Sequence, residues 1–282
     1  MNSIKKLEQI ASQVRRDIVR MTHAQSSGHP GGSLGCTEYL VSLYFSVLKH
    51  NPENFTIEEK EEDLFFLSNG HISPAWYSVL ARSGYFDINE LKTFRQINSR
   101  LQGHPATEEK LPGVRVASGS LGQGLSVAAG AALAKRINQN DAIVYSLHGD
   151  GEMQEGQNWE AAMFCAGHKI DNLIATIDYN GKQIDGPVDE IMPLGNLKAK
   201  FESFGWDVMV CEKGNDMESV LNILNEAKKH TGKSKPVMIL LKTEMGYGVD
   251  FMTGTHAWHG KAPNDEELEK ALAQLEETTG DY

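Results

Sequence analysis

Apolar positions recur along this chain with two periods, one near 3.6 residues and one marked by short uninterrupted runs. Over residues 4–22, Ile4, Leu7, Ile10, Ala11, Val14, Ile18 and Met21 fall on one face of a helical repeat, and Thr37 to Val47 predicts a second, strongly buried helix. The short runs Asp63–Leu67, Ala142–Leu147, Asn172–Ile177, Asp207–Cys211 and Pro236–Leu241 predict strands, of the apolar kind buried in a parallel sheet. Helical patterns lie at Pro74 to Arg82, Asn89 to Gln96, Leu125 to Ile137, Glu155 to Gly167 and Met217 to Lys229. Small residues in Leu125 to Ile137 permit close packing against a sheet. Asn264 with Glu267 three residues on, followed by Leu268, Leu272 and Leu275, predicts a capped terminal helix over about 264–278. Strand and helix alternate throughout, so the class is α/β. With no internal repeat, low-complexity segment or Pro/Ser-rich linker to divide it, the chain reads as one domain over 1–282.

Composition narrows the partners. At 282 residues and 40% hydrophobic, the chain can bury a sizeable core, and its net charge of −11 argues against nucleic acid. The one small basic cluster, Lys228-Lys229-His230 with Lys233 and Lys235, is explained by a solvated surface. Cys36, Cys165 and Cys211 are odd in number and lack metal spacing, which fits small core residues in a reducing compartment. The N-terminus lacks the apolar core of a signal peptide, and no run approaches a membrane span. A cytoplasmic protein is expected.

The candidate chemistry sits at the ends of two predicted strands. One leads into His148-Gly149-Asp150-Gly151-Glu152, and the next delivers Asn180, thirty positions after Asp150, in Tyr179-Asn180-Gly181-Lys182. A carboxylate and an amide oxygen on neighbouring parallel strands would stand at the carboxyl edge of the sheet, where open α/β folds place ligands. Oxygen donors suit magnesium, which is held by few protein groups plus substrate phosphates. The competing reading of Gly149-Asp150-Gly151 is a plain turn. The glycines are read as permitting a sharp turn, and the helix beyond as starting near the same spot.

Four histidines fall in glycine-rich loops: His29 within Ser26 to Gly32, His71 in Ser68-Asn69-Gly70-His71, His104 in Gly103-His104-Pro105, and His259 in Trp258-His259-Gly260. Histidine donates and accepts protons near neutrality, so several beside a diphosphate could bind it, orient hydroxyls and move protons. Surface loop histidines are the plainer alternative, and the pair His256 and His259 has no third ligand nearby for zinc. Glu155 and Glu160 are either solvated or part of an interface or buried acid network.

At these residues the chain resembles the transketolase family of thiamine diphosphate enzymes. Gly149-Asp150-Gly151 with Asn180 is similar to the general thiamine diphosphate motif. Gly28-His29-Pro30-Gly31, Ser68-Asn69-Gly70-His71, Gly103-His104-Pro105, Gly119-Ser120-Leu121-Gly122-Gln123-Gly124 and Trp258-His259-Gly260-Lys261 resemble segments specific to transketolase, in order from about residue 10 to 275. The resemblance implies a three-layer α/β/α fold with a mainly parallel sheet, thiamine diphosphate with Mg2+ (or Ca2+ or Mn2+ in its place), and a role in pentose phosphate metabolism.

It also implies roles position by position. Asp150, Asn180 and the Lys182 carbonyl would ligate the metal. His71, Gly119, Ser120, Leu121, Gly151 and Glu152 would line the cofactor, with Leu121 and Ile184 on its thiazolium. His259 would touch diphosphate and substrate, and His29 and His104 would hold sugar hydroxyls and assist proton transfer. Glu155 and Glu160 resemble acids at the family's subunit interface, which implies self-association there.

Tyr179 departs from the asparagine or aspartate that many thiamine enzymes carry, while Asn180 is kept. A full transketolase resembles this chain only in its first part. The resemblance therefore implies the N-terminal subunit of a split enzyme, working in a heterotetramer with a C-terminal subunit that carries the pyrimidine-binding domain, on sugar phosphates. The alternatives are a chain resembling 1-deoxyxylulose-phosphate synthase or the 2-oxoacid dehydrogenase α chain, a transketolase for an unusual sugar, and a non-catalytic cofactor-binding module.

Overall fold

The computed structural model describes residues 2–58 and 61–282 of the chain; Met1, Glu59 and Lys60 lie outside the described residues. Helix α1 (Ile4–Ala24) starts on Ser3, whose hydroxyl accepts the Lys6 N–H, and its apolar face carries Leu7, Ile10, Val14 and Ile18 into the core. Helices α2 (Pro30–Gly35) and α3 (Thr37–Ser42) follow, then strand β1 (Leu64–Leu67) and helix α4 (Ser73–Arg82). Next come α5 (Gly124–Ile137), β2 (Val144–Gly149), α6 (Gly156–Gly167) and β3 (Leu173–Asp178). A small hairpin of β4 (Lys182–Gln183) and β5 (Gly186–Pro187) leads through α7 (Val188–Ile191) and α8 (Leu197–Ser203) to β6 (Asp207–Cys211). Helix α9 (Met217–His230), β7 (Val237–Leu241) and α10 (Asp265–Gln274) complete the order.

Five strands form one parallel sheet in the order β1-β2-β3-β7-β6. Side chains alternate across it, so each strand feeds two cores. Phe65, Leu67, Tyr145, Leu147, Ile174, Val237 and Ile239 pack with α1, α3, α4 and α9. Leu64, Phe66, Val144, Leu173, Ala175, Ile177, Met238 and Leu240 pack with α5, α6 and α8 on the other face. The architecture is therefore three-layer α/β/α, and both faces of the central strands are dry. This is why those strands read as unbroken apolar runs.

Several predicted elements take a different form. The helix expected from Asn89 to Gln96 is a short 3-10 stretch over Ile88–Thr93, capped by Asp87, and Arg95 just beyond it turns into the left-handed region at φ 58°. The helix expected to Val47 is α-helical only to Ser42 and continues as a π turn, Leu43–Val47, with the Leu48 N–H on the Leu43 carbonyl. The segment read as a loop to Gly32 becomes helical at Pro30, because proline at the first helical position needs no N–H partner. The terminal helix stops at Gln274, since Arg16 Nη1 takes the Leu272 and Leu275 carbonyls at 3.0 and 2.7 Å. The hairpin, α7 and α8 have no counterpart among the predicted elements. Cys36, Cys165 and Cys211 are buried and free.

Buried charge pins α4 to α1. Asp17 accepts from Ser78 Oγ at 2.6 Å and from Arg82 Nη2 at 2.8 Å, and Arg82 also reaches Thr279 Oγ1 and the Gly280 carbonyl. The last residues are held the same way, with Asp281 paired to Arg16 and Arg20. The edge that matters for chemistry is the one where β2, β3 and β7 end.

Candidate cofactor site at the carboxyl edge of the sheet

Strands β2 and β3 are parallel neighbours, with Gly149 opposite Asp178 and the Asp150 N–H on the Asp178 carbonyl at 3.2 Å. The residues that follow each strand are thereby set side by side. Asp150 is 1% exposed; its Oδ1 accepts the Gly151 N–H at 2.7 Å and its Oδ2 accepts the Gly181 N–H. Asn180 accepts the Lys182 N–H on Oδ1 at 2.9 Å and donates Nδ2 to Asp178 Oδ2 at 2.8 Å. The chain turns at Asp150 as expected, on ordinary right-handed backbone, and neither Gly149 nor Gly151 takes a positive φ. Glycine serves at 151 for another reason: a Cβ there would stand 3.2 Å from Gln183 Cβ.

Burial, and then the neighbouring Asp178, push the Asp150 carboxyl up to about 7, against the Gly181 and Gly151 N–H groups that favour its charge. A cation would relieve both effects. Among the described residues no three His, Cys, Asp or Glu side chains form a group that could hold a metal ion by themselves, so a cation at Asp150 must draw on neutral oxygens. The Asn180 amide and the Lys182 carbonyl are of that kind, and the donor set fits a hard divalent ion shared with phosphate oxygens.

Glu152 points inward and joins three loops. Its Oε1 accepts from Ser68 Oγ and, at 2.8 Å, from the Gly122 N–H, and its Oε2 accepts the Gly149 N–H at 3.0 Å. Ser68 Oγ in turn accepts the Gly124 N–H that opens α5, at 3.1 Å. Burial alone would raise this carboxyl, but His148, Ser68 and Gly122 outweigh it and hold it below its ordinary value. The ends of β1 and β2 and the segment before α5 are thus fixed on one carboxylate that is 2% exposed.

The four loop histidines converge. Ring centroids lie 5.1 Å apart for His29 and His71, 5.6 Å for His29 and His259, 5.0 Å for His71 and His259, and 6.3 Å for His29 and His104. Backbone bonds explain the convergence. The Gly31 N–H meets the Trp258 carbonyl at 3.1 Å, Ser73 Oγ and Tyr77 Oη hold the Gly103 and Gln102 carbonyls, and the Ser118 N–H meets the Pro105 carbonyl at 3.0 Å. Gly119, at φ 132°, passes so near His104 that a Cβ would lie 3.0 Å from its ring.

Burial, then His259, Arg95 and His104, lower His29 to about 4. Burial first and the other three rings next hold His71 well below the usual range, while burial lowers His104 and His259 as well. The rings are neutral at pH 7, and His29 Nδ1, His259 Nδ1, Asn69 Oδ1 and Ser118 Oγ have no hydrogen-bond partner among the described residues. A pocket of neutral rings with orphaned polar atoms fits a polyoxygenated anion.

The two halves of the site meet at the hairpin. A Cβ on Gly260 would lie 3.1 Å from Ile184 Cδ1 and 3.7 Å from His29 Nε2, and Asp185 raises His259 against its burial. Gly119, Ser120 and Leu121 lie on the loop beside His104, with Leu121 half-buried, and Ile184 is 56% exposed. Glu155, the residue that caps α6, lies against the Gly122 loop, where a Cβ on Gly122 would stand 2.7 Å from the Glu155 Cβ, while Glu160 is exposed on α6 with Met163 and Phe164. Three further residues belong to the site. Asp178 ends a strand two positions before Asn180, a visible signal, as an acid at the end of an apolar run needs a reason. Thr243 donates its hydroxyl to Asp178, and Arg95 reaches Ser27 Oγ at 2.9 Å beneath the histidines; neither carries a sequence signal.

Residues 7–278 match the family profile described as transketolase, thiamine diphosphate binding domain. The chain is 38% identical over 276 residues to one of the apulose-4-phosphate transketolase subunits, that of Actinobacillus succinogenes, covering 98% of each. It is 40% identical over 270 residues to the 6-deoxy-6-sulfo-D-fructose transketolase subunit SqwG of a Clostridium species, covering 96% of each. Against human transketolase the identity is 33%, over 90% of this chain and 40% of that one. The crystal structure of Campylobacter jejuni transketolase superposes with a TM-score of 0.90 at 36% identity, covering 98% of this chain and 43% of that one. The chain thus spans about two fifths of the full-length relatives.

Two consequences can be measured. Glu152→Ala strands three donors and should lower the unfolding free energy by about 3 kcal/mol in urea denaturation, with Glu152→Gln losing less; a change under about 1 kcal/mol would show that the loops are held elsewhere. The depressed histidines bind protons more readily in the unfolded chain. Their stabilising effect is therefore full above the free histidine value of about 6.5 and lost as pH falls toward the His29 value of about 4. Melting temperature should drop across that window, and inorganic diphosphate should narrow the drop.

Proposed function

The chain belongs to the transketolase family, in its thiamine diphosphate binding domain, and from that premise we propose that it is the N-terminal subunit of a two-subunit transketolase, moving a two-carbon ketol unit from a ketose phosphate to an aldose phosphate. The observation that carries this reading is the meeting of four histidine rings, which reaches the hairpin after Asn180 through the Gly260 and Ile184 contact. A bare metal-diphosphate clamp would not need them, which disfavours the α chain of a 2-oxoacid dehydrogenase or a passive binding module.

Thiamine diphosphate supplies the carbanion chemistry when bound; this chain supplies binding, orientation and proton control. Asp150, Asn180 and the Lys182 carbonyl would hold Mg2+ against the diphosphate. His71, Gly119, Ser120, Leu121, Gly151 and Ile184 would border the cofactor, and His29, His104 and His259 would hold sugar hydroxyls. Neutral rings can both accept and donate, so they can orient a hydroxyl and move its proton without a standing charge. Glu152 supports the site from behind, its oxygens being engaged by Ser68, Gly122 and Gly149, and is a positioning residue in this reading.

The partner is a separate subunit carrying the pyrimidine-binding domain. Support comes from the relatives that match end to end and are named as subunits, set against the full-length transketolases of which this chain spans about two fifths. Self-association at the Glu155 and Glu160 face is supported by Met163 and Phe164, exposed with Glu160 on α6. The named substrates of those relatives, apulose 4-phosphate and 6-deoxy-6-sulfofructose, favour a specialised sugar over the common pentose phosphates. A cytoplasmic setting belongs to the same reading and suits the three buried free thiols. Among the described residues no helix is long and apolar enough to cross a membrane.

Co-expression with the product of an adjacent pyrimidine-domain gene, assayed over a panel of donor ketoses and acceptor aldoses, should give ketol transfer that neither chain gives alone. Robust turnover by the single chain, or none by the pair, would refute the two-subunit reading. Asp150→Ala should abolish magnesium-dependent thiamine diphosphate binding in calorimetry on that assembly, and unchanged affinity would remove the clamp.

A further inference from the structure

We infer that Asp178, which itself lies behind the clamp, is a positioning residue that fixes the Asn180 amide with its oxygen toward the metal. The inference rests on the reading of Asp150 and Asn180 as metal ligands. An asparagine side chain has two nearly isosteric ends, one that attracts a cation and one that repels it, and its own torsion scarcely distinguishes them. Here both neighbours do. Asp178 Oδ2 can only accept, and takes Asn180 Nδ2 at 2.8 Å; the Lys182 N–H can only donate, and meets Asn180 Oδ1 at 2.9 Å. The amide is therefore oriented by chemistry at both ends.

Asp178 is in turn held. It ends β3, is 2% exposed, and accepts the Thr243 hydroxyl on Oδ1, so the carboxylate cannot rotate freely. The Cys36 thiol lies against it from α3's N-terminal side and is raised by burial and by that carboxylate. Its backbone also serves the clamp, its carbonyl receiving the Asp150 N–H. One residue thus sets Asn180 through its side chain and Asp150 through its main chain. Groups behind a metal's ligands commonly alter its affinity by ~10–100-fold.

The test uses the full chain and Mn2+, titrated with and without thiamine diphosphate and followed by loss of the free-ion electron paramagnetic resonance signal. Asp178→Asn should weaken Mn2+ binding by about tenfold or more, with a metal-free melting temperature at or above that of the wild type because one of two adjacent buried carboxylates is gone. The exchange Asp178→Asn with Asn180→Asp puts an oxygen-only side chain at the ligand position and should restore binding. Wild-type affinity in Asp178→Asn, or no recovery in the folded exchange variant, would overturn the inference. Should Asp178→Asn not fold, Thr243→Val, which only frees the carboxylate to rotate, carries the same test: weaker binding is expected, and unchanged binding overturns it. Failure of the wild type itself to bind Mn2+ with thiamine diphosphate would instead refute the metal-site reading.

Discussion

The site depends on one buried carboxylate whose two oxygens are both engaged by the chain itself. Glu152 gathers the Ser68 hydroxyl after β1, the Gly149 N–H at the end of β2 and the Gly122 N–H before α5, residues as far apart in sequence as 68 and 152. Each of these segments carries part of the candidate site: His71 follows Ser68, Asp150 follows Gly149, and Gly119 to Leu121 precede Gly122. A buried charge is costly unless its lone pairs are filled, and here loop backbone and a hydroxyl fill them. Stability of the fold edge and placement of the site are in this way one requirement.

Much of this is legible from sequence, and for identifiable reasons. Strands β1, β2, β3 and β7 are buried on both faces, so their apolar runs are unmistakable, β6 at the edge is half-buried but keeps an apolar run, and α1 and α9 keep a clean amphipathic period. Asp150 and Asn180 can be placed because they lie one and two positions beyond such strands. The hairpin, α7 and α8 cannot, because they are short and stabilised by contacts from elsewhere, such as Gln154 Nε2 on Gln183 Oε1 at 2.8 Å. The role of Glu152 is also hidden: its neighbours in sequence are other candidate ligands, while two of its three partners lie 30 and 84 positions away. Gly151 reads as a turn residue, and its cause is instead the approach of Gln183.

The histidines show how crowding does what a single group cannot. A lone half-buried imidazole titrates near neutrality. Here burial comes first in lowering all four rings, and for His29 and His71 neighbouring rings 5.0–6.3 Å away add to it. The result is a group of rings that resists protonation and would become more basic beside an anion. That behaviour is a property of the cluster, assembled by loops that follow β1, precede α2 and trail β7.

The pairing of Gly149 with Asp178 has a further consequence for how errors are detected. A slip of one residue between β2 and β3 would displace Asp150 from Asn180 by about 3.3 Å along the strand and turn one side chain to the opposite face. The apolar runs Val144–Leu147 and Leu173–Ile177 would tolerate such a slip with little protest, since both of their faces are buried. The polar pair at their ends would not. If Asp150 and Asn180 hold an ion as proposed, its binding would read out strand register, and a misaligned molecule would be recognisable as one that holds no metal.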